Sequence, residues 1–179
     1  RLRNLVFGKK KPDIHTRITF YINGAITLSF LLWNLIGYFA ITLRDMFTEM
    51  KNVPIENIIH ERGLELGFHP VDFIARLGTL YGISVICWLI VIAGIILLYR
   101  KRSQFIYFIL GGMIFSLGMQ IFYMNFQYFS EDTSTFDKIL VLIVAVSCII
   151  HAILMRNEKN GGSISFFGED KEEVQQNVE

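Results

Sequence analysis

Four apolar runs, almost free of charge, constrain this chain more than any other feature. They cover residues 18–43, 77–99, 105–126 and 139–155. A helix needs roughly 20 apolar residues to cross the hydrocarbon core of a bilayer. Only helices and closed barrels satisfy their own backbone there. The runs therefore predict an all-α membrane protein, a four-transmembrane-helix bundle. Hydrophobic residues make up 53% of the chain, and with so much of it in lipid no soluble domain of ordinary size fits between the runs. The chain begins at Arg1, and its first run is too long for a signal-peptide core, so it reads as a retained signal anchor.

The charges are segregated although the formal net charge is only +1. Arg1, Arg3, Lys9, Lys10, Lys11 and Arg17 precede the first run. Arg100, Lys101 and Arg102 join the second and third, and Arg156 and Lys159 follow the fourth. Four crossings put all of these on one side, and short loops rich in Lys and Arg stay cytoplasmic. The expectation is a basic cytoplasmic arm (1–17), a basic cytoplasmic loop (100–104) and a polar, acidic cytoplasmic tail (156–179). Residues 44–76 and 127–138 then lie outside an inner (plasma) membrane. The Lys9–Lys11 run also suits anionic lipid, although setting topology already accounts for it.

Inside the runs, small and polar residues carry the information. Gly78 and Gly82, and Gly112 with Ser116 and Gly118, are spaced for close helix contact. Asn23, Asn34, Gln120, Asn125 and His151 are polar groups at membrane depth, where each needs a partner. The plain reading is that they bridge helices. The functional alternative is a polar site or pore lining. Gln120 to Phe129 mixes rings with amides and suits an aromatic belt, or else the mouth of a polar cavity. No run carries a central Asp, Glu, Lys or Arg, which weighs against an ion-coupled transporter.

The loop before the second run is the other distinctive segment. Pro54, then Ile55, Ile58, Ile59 and Leu66 at helical spacing, predict a short interfacial helix ending near Gly63. Glu56, His60, Glu61, His69 and Asp72 would form its polar surface, available to a periplasmic partner. Their spacing matches no common zinc pattern, so no metal is expected. Cys87 and Cys148 both lie inside runs and form no C-x-x-C, which argues against thiol oxidase chemistry. His spacing argues against haem, and claudin-like proteins carry a loop Trp and paired loop Cys that this chain lacks. No cofactor and no nucleic acid is expected.

The composite expectation is a non-enzymatic membrane subunit. It would pack against other integral membrane proteins and stabilise a larger inner-membrane complex. The alternative is a small transporter or homo-oligomeric pore lined by the polar span residues. A third reading is an interfacial enzyme, which requires His60, Glu61 and His69 to converge.

Overall fold

The computed structural model describes residues 12–46 and 55–159. The basic residues before Pro12, Pro54 and the acidic tail from Asn160 onward lie outside the described residues. The described chain is helical throughout: α1 (Ile14–Thr42), α2 (Ile55–Glu65), α3 (Pro70–Tyr99), α4 (Phe105–Glu131) and α5 (Thr135–Lys159). The four long helices, α1, α3, α4 and α5, are each long and apolar enough to cross a membrane. The protein is an all-α four-span bundle. The helices run past the apolar stretches because local chemistry caps them further out. Asp13 accepts from the Thr16 amide at 3.1 Å to start α1. Pro70 opens α3 at a position that needs no N–H.

The turn between α3 and α4 is closed by Lys101 in the left-handed region (φ 54). The Lys101 and Arg102 amides donate back to the Leu98 and Leu97 carbonyls. Lys101 Nζ reaches Asp13 Oδ1 at 2.8 Å, so the start of α1 and the α3–α4 turn share one side of the bundle. Arg62 of α2 binds Asp132, in the α4–α5 turn, at 2.5 Å, which puts both of these on the opposite side. We call these the termini side and the α2 side.

The α2 helix stops later than its sequence suggests. Gly63 is inside it, and the left-handed residue is Gly67 (φ 78). Phe68 N–H donates to Gly63 O at 2.8 Å and Gly67 N–H to Leu64 O at 3.0 Å, the two bonds of a Schellman stop. Gly63 serves packing instead, because a Cβ there would sit 2.8 Å from the Phe73 ring. Leu66 and Ile59 face the bundle, whereas Ile58 is 60% exposed.

Glycine decides which spans meet closely. On α1 and α3, Gly37 takes the Tyr81 ring and Gly82 takes the Tyr38 ring. On α3 and α4, Gly94 takes Ile109 and Gly112 takes Val91. Each pair is reciprocal: the missing Cβ of one helix receives a large side chain of the other. The α5 sequence contains no glycine. It touches α1 and α4 and makes no close backbone approach to α3. The four spans therefore form a ring, with α3 and α5 facing each other across its middle.

A cavity within the bundle as the candidate functional site

The ring is filled on the termini side. Val91, Ile95 and Leu98 of α3, Phe105 and Ile109 of α4, and Val144, Cys148 and Met155 of α5 form one buried cluster. Asn23 ties α1 to α5 within it. Its Oδ1 accepts from Ser147 Oγ at 2.8 Å, and its Nδ2 donates to Cys148 Sγ at 3.5 Å. Both Asn23 polar groups are satisfied there, so this asparagine bridges helices.

Toward the α2 side the ring is not filled. A cavity of about 710 Å³ opens between α1, α3, α4 and α5, with α2 at its mouth. Its floor holds Phe30 stacked on Trp88 (centroids 4.6 Å apart, planes at 4°) with Met113 and Ala145 beside them. Phe73 near the mouth and Trp88 at the floor are about four turns apart on α3, so the cavity runs on the order of 20 Å along the bundle. The volume lies within the range of about 300–1,000 Å³ typical of small-molecule sites.

Polarity changes with depth. The rim is charged, with Arg62, Asp132, Asp137 and Lys138. Arg62 donates to Asp132 and Glu65 and lies 3.6 Å from Glu131. The hydrogen bonds it donates to Asp132, then to Glu65, push its pKa above the usual guanidinium value. Lys138 donates to the Ser130 carbonyl at 3.0 Å and covers the Phe129 ring at 5.0 Å. Below the rim, Gln120 donates to Thr133 Oγ1, and Tyr81, Ser84, Ser116 and Asn34 complete a belt of uncharged polar groups. Asn34 donates back to its own helix, at the Phe30 carbonyl (2.8 Å), and bonds to no other helix among the described residues.

The sequence candidates for an intramembrane polar site therefore divide. Asn34 and Gln120 line the cavity. Asn23 is turned into the packed half. His151 is buried there with its ring 5.7 Å from Phe105. Asn125 is exposed and breaks α4 (φ 65, ψ 173), a backbone region that costs a non-glycine residue about 1–3 kcal/mol. Its Oδ1 accepts from the Tyr128 amide at 3.0 Å, capping the last turn, and Arg76 donates to the Tyr123 carbonyl at 3.2 Å beside the break. The break tilts the end of α4 that carries Tyr128 and Phe129 at the mouth.

The helix-packing candidates divide too. Gly112 is in tight contact with α3, and Gly78 and Gly82 face α1. Ser116 lines the cavity, and nothing lies within 4 Å of a Cβ placed at Gly118. Among the loop candidates, His60 Nε2 lies 3.6 Å from Glu56 Oε1, while Glu61, His69 and Asp72 are exposed. His60, Glu61 and His69 are not gathered into one site. Among the described residues no three His, Cys, Asp or Glu side chains are grouped to hold a metal ion. Sequence reasoning missed Arg62, Tyr81, Ser84, Trp88 and Lys138. Ser84 had a signal, as a hydroxyl inside an aliphatic run. Arg62 had none, because its partner Asp132 is 70 residues away.

Comparison of the chain with protein-family models, curated proteins and solved structures finds no match.

Proposed function

We propose that this protein holds a small hydrophobic molecule between its spans and acts by recognition rather than by covalent chemistry. The observation that carries the reading is the cavity of about 710 Å³, aromatic at its floor and polar at its mouth. It is closed on the termini side by the packed cluster, so it supports a binding site reached from one side better than a continuous pore. Native mass spectrometry of the purified protein tests this. One small-molecule adduct per chain is expected, lost in Ala145→Phe, whose ring fills the floor. An adduct that persists in this variant, or no adduct in the parent, would refute the reading.

We further propose that the termini side faces the cytoplasm of a plasma or inner membrane. Arg17, Arg100, Lys101, Arg102 and Arg156 cluster there, and the positive-inside rule supports this orientation. A cysteine at Glu56 should then react quickly with an impermeant thiol reagent applied to intact cells. One at Ile59, which packs toward the bundle, should react slowly. Labelling only after lysis would reverse the topology.

A second reading, a subunit of a larger membrane complex, has its own support. A groove on the outer face of α1 and α3 is lined by the small residues Ala75, Gly78, Thr79 and Gly82, a surface suited to a helix of another membrane protein. Thr79→Phe should then dissociate the complex on native gels while leaving the small-molecule adduct in place. Unchanged migration would remove this reading.

A further inference from the structure

The depth profile of the cavity narrows the chemistry of its occupant, given the binding role proposed above. Tyr81 lies three turns, about 16 Å, inside the α2-side end of α3. Gln120 precedes the break in α4, and its amide reaches back to Thr133 in the α4–α5 turn at 2.6 Å. Asn34 lies a little over two turns, about 12 Å, inside the end of α1. Ser84 and Ser116 are one turn deeper than Tyr81 and Gln120. These five residues come from three helices and all carry hydroxyl or amide groups, without a formal charge at neutral pH. The facing wall, on α5, is apolar with Val141, Leu142 and Ala145.

An ionised head in the belt would leave most of its water, and the carboxylate near it, Asp132 beside Thr133, is already held by Arg62, so the cost is several kcal/mol per ion. At the rim an anion fares no better. Arg62 is already held by Asp132, Glu65 and Glu131, and Asp137 stands beside Lys138. A cation at the rim would compete with Arg62 for Asp132, Glu65 and Glu131, and at Asp137 it would meet the Lys138 ammonium beside it. A hydroxyl or carbonyl group, by contrast, exchanges hydrogen bonds with the belt, while an attached apolar body covers Phe30 and Trp88. Apart from the Trp88 indole N–H, the floor offers only aromatic and aliphatic surface, so the apolar end points inward.

We infer that the cavity takes an uncharged amphiphile, with a hydroxyl or carbonyl head in the belt of Asn34, Tyr81, Ser84, Ser116 and Gln120. The chain has two Trp residues, both on the cavity wall. Trp33→Phe therefore leaves Trp88 as the sole reporter at the floor.

The test uses this variant in phospholipid nanodiscs. The probes are a bromine-labelled monoacylglycerol, the fatty acid of the same chain at pH 8, and an alkyltrimethylammonium of the same chain. Saturable quenching of Trp88 by the monoacylglycerol is expected, half-maximal at about tenfold lower membrane concentration than for either ion. Adding Asn34→Leu and Gln120→Leu should remove that preference while quenching by the bare chain persists. An ion that quenches as well as the neutral probe, or a preference that survives the double substitution, would overturn the inference and leave the binding reading standing. Quenching that never saturates with any probe, and is unchanged by Ala145→Phe, would overturn the binding reading itself.

Discussion

On the termini side, Gly94 and Gly112 let α3 and α4 interlock side chain into backbone, and Asn23 ties α1 to α5 through Ser147 and Cys148. On the α2 side α1 and α3 still interlock through Gly37 and Gly82 over a second buried cluster, but α5 stands apart from α3 around a cavity, and the elements that close it are a broken α4 and a helix from a loop. Lipid is as apolar as leucine, so hydrophobicity does not draw transmembrane helices together. Close contact requires small residues or satisfied polar pairs, and both are concentrated between α1, α3 and α4 and in the Asn23 cluster. Where α5 offers neither to α3, the helices remain apart.

Gly94→Leu should break the packed half most severely. A Cβ there already lies 2.6 Å from Ile109 Cγ1 and 3.0 Å from a backbone nitrogen, so the helices must separate. A loss of about 3 kcal/mol is expected in detergent unfolding, at the upper end of overpacking costs. Gly118→Leu, which meets open space, should stay within about 0.5 kcal/mol of the parent. Equal losses would mean that the packing asymmetry is absent.

The two asparagines sharpen the comparison. Asn23→Leu removes the bridge to α5 and should cost about 1 kcal/mol. Asn34→Leu removes only a bond to its own helix and should cost less than about 0.5 kcal/mol, while changing occupancy of the cavity. Unfolding of both variants under the same conditions checks the ranking. A larger loss at Asn34 would show that the open half is stabilised by polar contacts after all.

At the mouth, Arg62→Gln removes the ties from α2 to Asp132 and Glu131. The expected outcome is several-fold faster thiol labelling of a cysteine at Ile59, with unfolding midpoint little changed, because exposed ion pairs add little to global stability. Unchanged labelling would mean that Leu66 and Phe73 alone hold α2 in place.

The smallest effect is one of pH on the termini side. Burial raises the Asp13 carboxyl, but the hydrogen bonds from Lys101 and Thr16 outweigh it and hold the group below the usual carboxylate range. A carboxyl with a depressed folded-state pKa stabilises above its unfolded value of about 3.9 and loses that contribution as pH falls further. Unfolding midpoints of the parent and Asp13→Asn should therefore differ above about pH 4 and converge below it. A constant difference down to pH 2 would rule out this link.

Much of the architecture was legible in the sequence. Apolar runs at 18–43, 77–99, 105–126 and 139–155 left no other fold, and the structure has a span-length helix over each of them. The short helix at Ile55–Glu65 followed from its helical spacing. Its end did not: the sequence reading stopped it near Gly63, but Gly63 packs against Phe73 and Gly67 takes the left-handed stop. The site was legible only in part. Asn34 and Gln120 stood out as polar interruptions, as did Asn23, Asn125 and His151, and nothing local to those residues separates the first two from the rest.

What the sequence determined by itself was the number of crossings, the segregation of charge and the presence of the loop helix. Those depend on length, on the backbone's need for internal hydrogen bonds and on local turn chemistry. Only the tertiary structure decided which glycine meets which helix, which asparagine bridges and which faces a cavity, and that Arg62 reaches Asp132 across 70 residues. In a soluble helix the apolar stripe marks the inside. A span is apolar on every side, so its buried face is set only by the partner that packs against it.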